Sequence, residues 1–122
     1  MNLSRVTLGK KGESLAVAYL KKIGYSILAK NYKTKLGEID IIGKDKKYIC
    51  FIEVRSVTNS DYILPEFTIN RKKQHQITKV ALSYIKRYNL LNKNARFDVV
   101  LVKDNKIELI RNAFELTGAY IY

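Results

Sequence analysis

Gly37-Glu-Ile-Asp-Ile-Ile-Gly43, Lys44-Asp-Lys-Lys47 and Tyr48-Ile-Cys-Phe-Ile-Glu-Val-Arg55 follow one another without a break. Two short β-branched, apolar runs flank a polar connection of four residues, which predicts a β-hairpin. Strand side chains alternate between faces. Glu38 and Asp40 are therefore expected on one face, with Ile39 and Ile41 on the other. By the same rule Glu53 and Arg55 share a face, opposite Ile52 and Val54. Carboxylates placed in otherwise buried strands cost several kcal/mol unless a cation or hydrogen bonds compensate. A chain with 23 Lys and Arg against 11 Asp and Glu has ample surface for its few acids. Three of them on one hairpin call for a reason.

Three acids on paired strands suit a hard divalent cation such as Mg²⁺ (or Mn²⁺), which takes oxygen ligands and keeps several waters. Asp40, then twelve residues, then Glu53-Val-Arg55, resembles the PD-(D/E)XK nuclease signature. In that signature an Asp and a Glu on adjacent strands bind the metal, and a Lys two positions after the Glu polarises the attacking water. Here Asp40, Glu53 and Arg55 fill those places. The structural alternative is an internal ion pair, Glu53–Arg55 or Asp40–Arg55, that closes the hairpin. Spacing alone leaves both readings open.

At 122 residues the chain is expected to form one domain, residues 1–122, with an ordinary core. One Cys and one His exclude an intrachain disulfide and a structural zinc site built within one chain. Cys50, between Ile49 and Phe51, reads as an inert core thiol. Neither a signal peptide nor a run of transmembrane length is apparent, so a reducing cytoplasm and no membrane are expected. The net charge of +12 is unevenly spread. Residues 1–35 hold eight Lys or Arg and only Glu13 as an acid, and residues 67–97 hold eight more with no acid. A field of that sign favours polyanions, nucleic acid before anionic membranes. The plainer reading is a basic ribosome-associated or merely soluble protein.

Working outward, Lys10 to Ile23 predicts a helix with a stripe of Ala16, Leu20 and Ile23. Extending the stripe back one turn lands on Glu13, which an ordinary helix-dipole preference also explains. Tyr25 to Tyr32 reads as a strand and Ser56 to Pro65 as a loop beside the candidate site. Asn70 is a candidate N-cap for a second helix with the stripe Ile77, Val80, Ala81, Tyr84, Ile85 and Tyr88. Arg71, Lys72 and Lys73 open that helix, three cations where the dipole prefers anions, a conflict that a docked phosphate would resolve. Arg96 to Val102 and Ile107 to Ile110 predict a final hairpin, with Asp98 making a structural hydrogen bond. The tail, Ala113 to Tyr122, suggests no chemistry. Most of the nine tyrosines read as core. The order α-β-β-β-α-β-β predicts an α/β fold, a mixed central β-sheet flanked by helices.

Gly12-Glu13, Ala16, Tyr19-Leu20, Gly24-Tyr25, Asn31, Gly37-Glu-Ile-Asp40, Phe51-Ile-Glu-Val-Arg55, Lys73, Ala81 and Arg96-Phe-Asp-Val-Val100 occur in series. That series resembles the YraN family, small bacterial proteins with a restriction-endonuclease-like PD-(D/E)XK fold similar to archaeal Holliday-junction resolvases. The resemblance implies a catalytic site of Glu13, Asp40, Glu53 and Arg55. Asp40 and Glu53 would bind Mg²⁺ (or Mn²⁺), with Glu13 assisting through a water. It also turns the reading of Glu13 from dipole partner to site residue. Arg55 departs from the usual Lys, and Arg cannot act as a base. Lys73 is placed to replace the missing ammonium. The loop after Arg55 also carries Leu64 where a glycine is expected. Lys10, Lys11, Lys33, Lys35, Arg71, Lys72 and Lys73 would track a nucleic-acid backbone, giving affinity without sequence choice. The implied activity is Mg-dependent endonuclease cleavage of structured, branched DNA. Its alternative is a catalytically inactive nucleic-acid-binding protein, and a third class is a protein-binding scaffold. The expected partners are nucleic acid, DNA first, and a second copy of the chain as a homodimer.

Overall fold

A computed structural model describes residues 2–57, 69–104 and 106–115, with only the helical backbone given for residues 2–10. The elements are α1 (Asn2–Lys22), β1 (Ser26–Thr34), β2 (Gly37–Asp45), β3 (Tyr48–Ser56), α2 (Arg71–Arg87), β4 (Asn94–Lys103) and β5 (Lys106–Phe114). The expected order α-β-β-β-α-β-β is the observed one. Most of the expected loop after Ser56 and the tail beyond Glu115 lie outside the described residues.

The five strands form one sheet in the order β1-β2-β3-β4-β5. Only β3 and β4 run parallel, because α2 carries the chain between them. The other neighbours are antiparallel. The central strands β3 and β4 are apolar on both sides, as strands covered by helices on both faces must be. Phe51, Phe97 and Val99 pack on the α2 side with Ile77, Val80, Ala81, Tyr84 and Ile85. Cys50, Ile52, Val100 and Val102 pack on the α1 side with Ala16 and Leu20. The result is an α/β architecture with a helix on each face of a mixed sheet, consistent with a restriction-endonuclease-like fold.

Several boundaries differ from the sequence reading. Helix α1 begins about two turns earlier than Lys10. The polar connection shrinks from four residues to Lys46-Lys47, because Lys44 and Asp45 keep ladder pairs with Ile49 and Tyr48. Ile23 and Tyr88, placed at the ends of the two helical stripes, are 38% and 49% exposed. Each lies just past the last helical residue, where the 3.6-residue period no longer sets direction.

Cys50 is fully buried, and burial pushes its thiol up to about 12. Since the thiolate is the nucleophile, Cys50 should resist alkylation by iodoacetamide at pH 8 in native protein and react promptly in urea. Fast labelling of the native protein would show that the α1 face opens readily.

Candidate active site

Two glycines bring the helices onto one end of the sheet. Gly12 is buried in α1, and a Cβ there would sit 2.8 Å from the Ser56 Oγ at the end of β3. The close approach sets the neighbouring Glu13 beside the sheet. Gly37 opens β2 with φ of +146°, a backbone that L side chains rarely adopt, and a Cβ there would meet the Gln76 side chain of α2 at 2.8 Å.

Between those contacts β2 and β3 part. Their ladder runs from Asp45↔Tyr48 to Ile41↔Ile52. One step further, the Val54 amide donates to Asp40 Oδ2 at 2.8 Å, so a side chain stands where a ladder carbonyl would be. The strict alternation expected of β2 breaks at this point. Ile39 packs in the α2-side cluster and Ile41 in the α1-side cluster, rather than sharing a face. A carboxylate directed towards the neighbouring strand accounts for the break, because Asp40 is then turned from the pleat normal.

Glu53 continues the Ile49–Phe51 side of β3 and is 7% exposed. Its Oε2 lies 3.4 Å from Lys73 Nζ, in the first turn of α2. The carboxyl is raised from 4.5 to about 8, chiefly by burial and then by the charge and hydrogen bond of Asp40. Lys73 opposes that rise from a partly exposed position, without offsetting it. Two acids thus meet where β2 and β3 diverge, one short of compensating positive charge.

Glu13 approaches from the α1 side. It lines a cleft of about 850 Å³ together with Asp40, Lys21, Lys30 and Lys33. Asn31, held at φ of 50°, also lines this wall and links Glu13 to Glu38. With its amide oriented to satisfy the network, Nδ2 donates to Glu13 Oε1 and to Glu38 Oε1, each at 3.3 Å.

The structure therefore gathers Glu13, Asp40, Glu53, Lys33 and Lys73 at one end of the sheet. Lys11, Lys35, Arg71 and Lys72 are exposed on the elements that frame it, while the Lys10 side chain lies outside the described residues. Arg55 is exposed, and among the described residues it forms no ion pair with Glu53 or Asp40. The cation at Glu53 is Lys73. Lys21 and Lys30 were missed by the sequence reading, and Asn31, one of the series of residues quoted there, was given no role. Lys21 was recoverable, since Glu13, Val17 and Lys21 follow at four-residue spacing on α1.

Asp40 and Glu53 form a donor set suited to a divalent cation that keeps most of its waters. The raised Glu53 supports that fit, because a nearby cation would let both acids ionise. Among the described residues no three acidic, His or Cys side chains are grouped closely enough to hold an ion. The protein's share would thus be two carboxylates, with Glu13 acting at a distance. Among the same residues no helix is long and apolar enough to cross a membrane.

Residues 12–102 match the model of an uncharacterised protein family, UPF0102. A UPF0102 protein of Desulfosudis oleivorans is 47% identical over 113 residues, covering 91% of this chain and 92% of its own. One of Thermodesulfovibrio yellowstonii is 46% identical over 114 residues, covering 92% and 99%. One of Clostridium kluyveri is 44% identical over 115 residues, covering 89% and 94%.

Proposed function

The chain belongs to UPF0102, the YraN family, and from that premise we propose that it is a divalent-metal-dependent endonuclease acting on structured, branched DNA. The observation that carries this reading is the Asp40–Glu53 pair at the parting of β2 and β3, with the Lys73 ammonium 3.4 Å from Glu53. Asp40 and Glu53 would hold Mg²⁺ or Mn²⁺. When bound, the ion supplies a nucleophilic water at neutral pH and stabilises charge on the phosphate oxygens. The chain's own groups do the rest. The Val54 amide fixes Asp40 in place. Asn31, on the cleft wall with Glu13, ties that acid to Glu38. Lys73 supplies the positive charge that nucleases of this fold take from the Lys two residues beyond the Glu. Arg55, exposed on the same strand, is placed to meet a substrate phosphate. Lys21, Lys30 and Lys33 line the approach, and Arg71 and Lys72 extend it.

The test is cleavage of branched, flapped and linear DNA with Mg²⁺ or Mn²⁺. Asp40→Asn and Lys73→Ala should each cost about 10²–10³ in rate, the usual loss when one stabiliser of developing charge is removed. Arg55→Ala should lower cleavage while its stability stays within about 0.5 kcal/mol of wild type, as expected of an exposed side chain. Arg55→Lys should retain activity. Cleavage that survives Asp40→Asn at full rate would remove the acid pair from the chemistry.

A second reading has its own observation. Arg55 stands where these nucleases carry Lys, and Lys73 is already engaged by Glu53. A nucleic-acid-binding protein without hydrolysis fits both facts. It predicts salt-dependent binding that is indifferent to metal and to Asp40→Asn.

A further inference from the structure

The opposite end of the sheet carries a second basic cleft that the acid site does not use. It encloses about 580 Å³ between the β2–β3 turn, the C-terminal end of α2 and the segment leading into β4. Lys44, Lys46, Lys47 and Lys93 line it together with Tyr84 and Tyr88. The four lysines make no ion pair among the described residues. Asp45, the acid of the same turn, is taken by Arg96 at 2.9 Å and Arg111 at 3.4 Å. Lys46 also holds φ of 57°, a left-handed position that Gly or Asn would fill at less cost.

The aromatic component is arranged for contact. Tyr84 is buried beneath and 4.6 Å from the ring of Tyr88, which is 49% exposed. The Arg87 guanidinium lies 5.5 Å from the Tyr88 centroid and adds another positive group. An exposed tyrosine packed on a buried one, beside lysines that are unpaired among the described residues, provides both parts of single-strand recognition. Cations meet the backbone and an aromatic face meets an unpaired base. A duplex keeps its bases stacked inside and would leave Tyr88 unused.

We propose that this lysine–tyrosine cleft binds an unpaired stretch of single-stranded nucleic acid, with Tyr88 stacking on a base. Ile49, its lining residue on β3, lies four residues from Glu53, about 13 Å at the usual strand rise. The binding stands independently of hydrolysis at the acid pair.

The experiment measures fluorescence anisotropy in EDTA, where no cleavage occurs. The probes are a labelled oligothymidylate of about 12 nucleotides, within the usual site sizes for such grooves, and a duplex of the same length. Tyr88→Ala should weaken single-strand binding about ten-fold or more, Tyr88→Phe should retain it, and duplex binding should be unchanged in both. Lys46→Gln with Lys47→Gln should lower the slope of log affinity against log salt by about 1.4 for the single strand. Lys106→Gln, an exposed charge outside the cleft, sets the effect of net charge alone. Thermal melts confirm folding of each variant. Wild-type affinity in Tyr88→Ala would overturn the proposal. So would equal losses for single strand and duplex, or a lysine effect no larger per charge than that of Lys106→Gln.

Discussion

Arg96→Ala is expected to destabilise the protein by about 3–5 kcal/mol, the usual cost of breaking one side of a buried ion pair. For a chain of this size that is a fall in Tm of roughly 10–20 °C. Arg96 Nε and Nη2 donate to the two oxygens of Asp98 at 2.8 and 3.0 Å, and Nη2 also reaches Asp45 at 2.9 Å and the Tyr25 hydroxyl at 2.9 Å. Asp98 is fully buried and accepts from the Tyr25 hydroxyl at 3.0 Å and the Asn112 amide at 2.9 Å. The Asp98 hydrogen bond raises the Arg96 pKa, and the Arg96 hydrogen bond holds Asp45 below the usual carboxylate range. Burial, with the Asp98 charge behind it, pushes Tyr25 above its ordinary value.

Removing the guanidinium leaves the Asp98 charge buried with neutral donors only. Adding Asp98→Asn to Arg96→Ala should therefore recover part of the loss, and Arg96→Lys should recover little, because one ammonium cannot make the forked contacts. Urea or thermal melts of the three variants check this. An Arg96→Ala protein that melts within a degree or two of wild type would mean the network contributes little, and full additivity in the double variant would mean the pair is not coupled.

That network also marks the limit of what the residues reveal before folding. Asp98 was legible as a structural acid, since it sits inside the apolar run Phe97 to Val102. Its partners were not. Tyr25 and Asp45 lie 73 and 51 residues from the groups they meet, and no local period connects them. Element order was legible because β-branched runs and clean helical stripes are local signals. Asp40 and Glu53 stood out because acids in buried strands contradict their surroundings. What alternation missed was the turn at Asp40, which follows from a hydrogen bond to another strand. Lys73 lay in between. Three cations opening a helix signalled a conflict, and the fold pairs the third of them with Glu53. Asn31 stood in the family series without a legible role, because its bridging of Glu13 and Glu38 depends on a left-handed backbone beside the irregular β1–β2 pairing.

Glu53→Gln is expected to remove cleavage and, in chelator at pH 8, to make the protein more stable than wild type. In the folded protein the Glu53 carboxyl is raised to about 8 by burial, with the Asp40 charge adding to it, against 4.5 for the free group. Between those values the native state keeps a proton that the unfolded chain releases. The unfolded state therefore binds fewer protons, and stability falls as pH rises from about 5 to about 8. At pH 5 wild type and Glu53→Gln should melt alike, since the native Glu53 is then as neutral as the amide. At pH 8 the variant should lead by a few kcal/mol, because each pH unit between the folded and unfolded pKa is worth about 1.4 kcal/mol. Metal should narrow that lead. An ion at 100 times its dissociation constant adds about 2.7 kcal/mol to wild type and little to Glu53→Gln. Melts across pH with EDTA, Mg²⁺ and Mn²⁺, run beside cleavage of branched DNA, read all of this. A wild type that gains stability from pH 5 to 8 in EDTA would show that Lys73 outweighs burial and Asp40. A Glu53→Gln protein that responds to metal as wild type does would place the ion elsewhere. The expected pattern, a site that weakens the empty fold and is relieved by a cation, is what local destabilisation kept for function looks like.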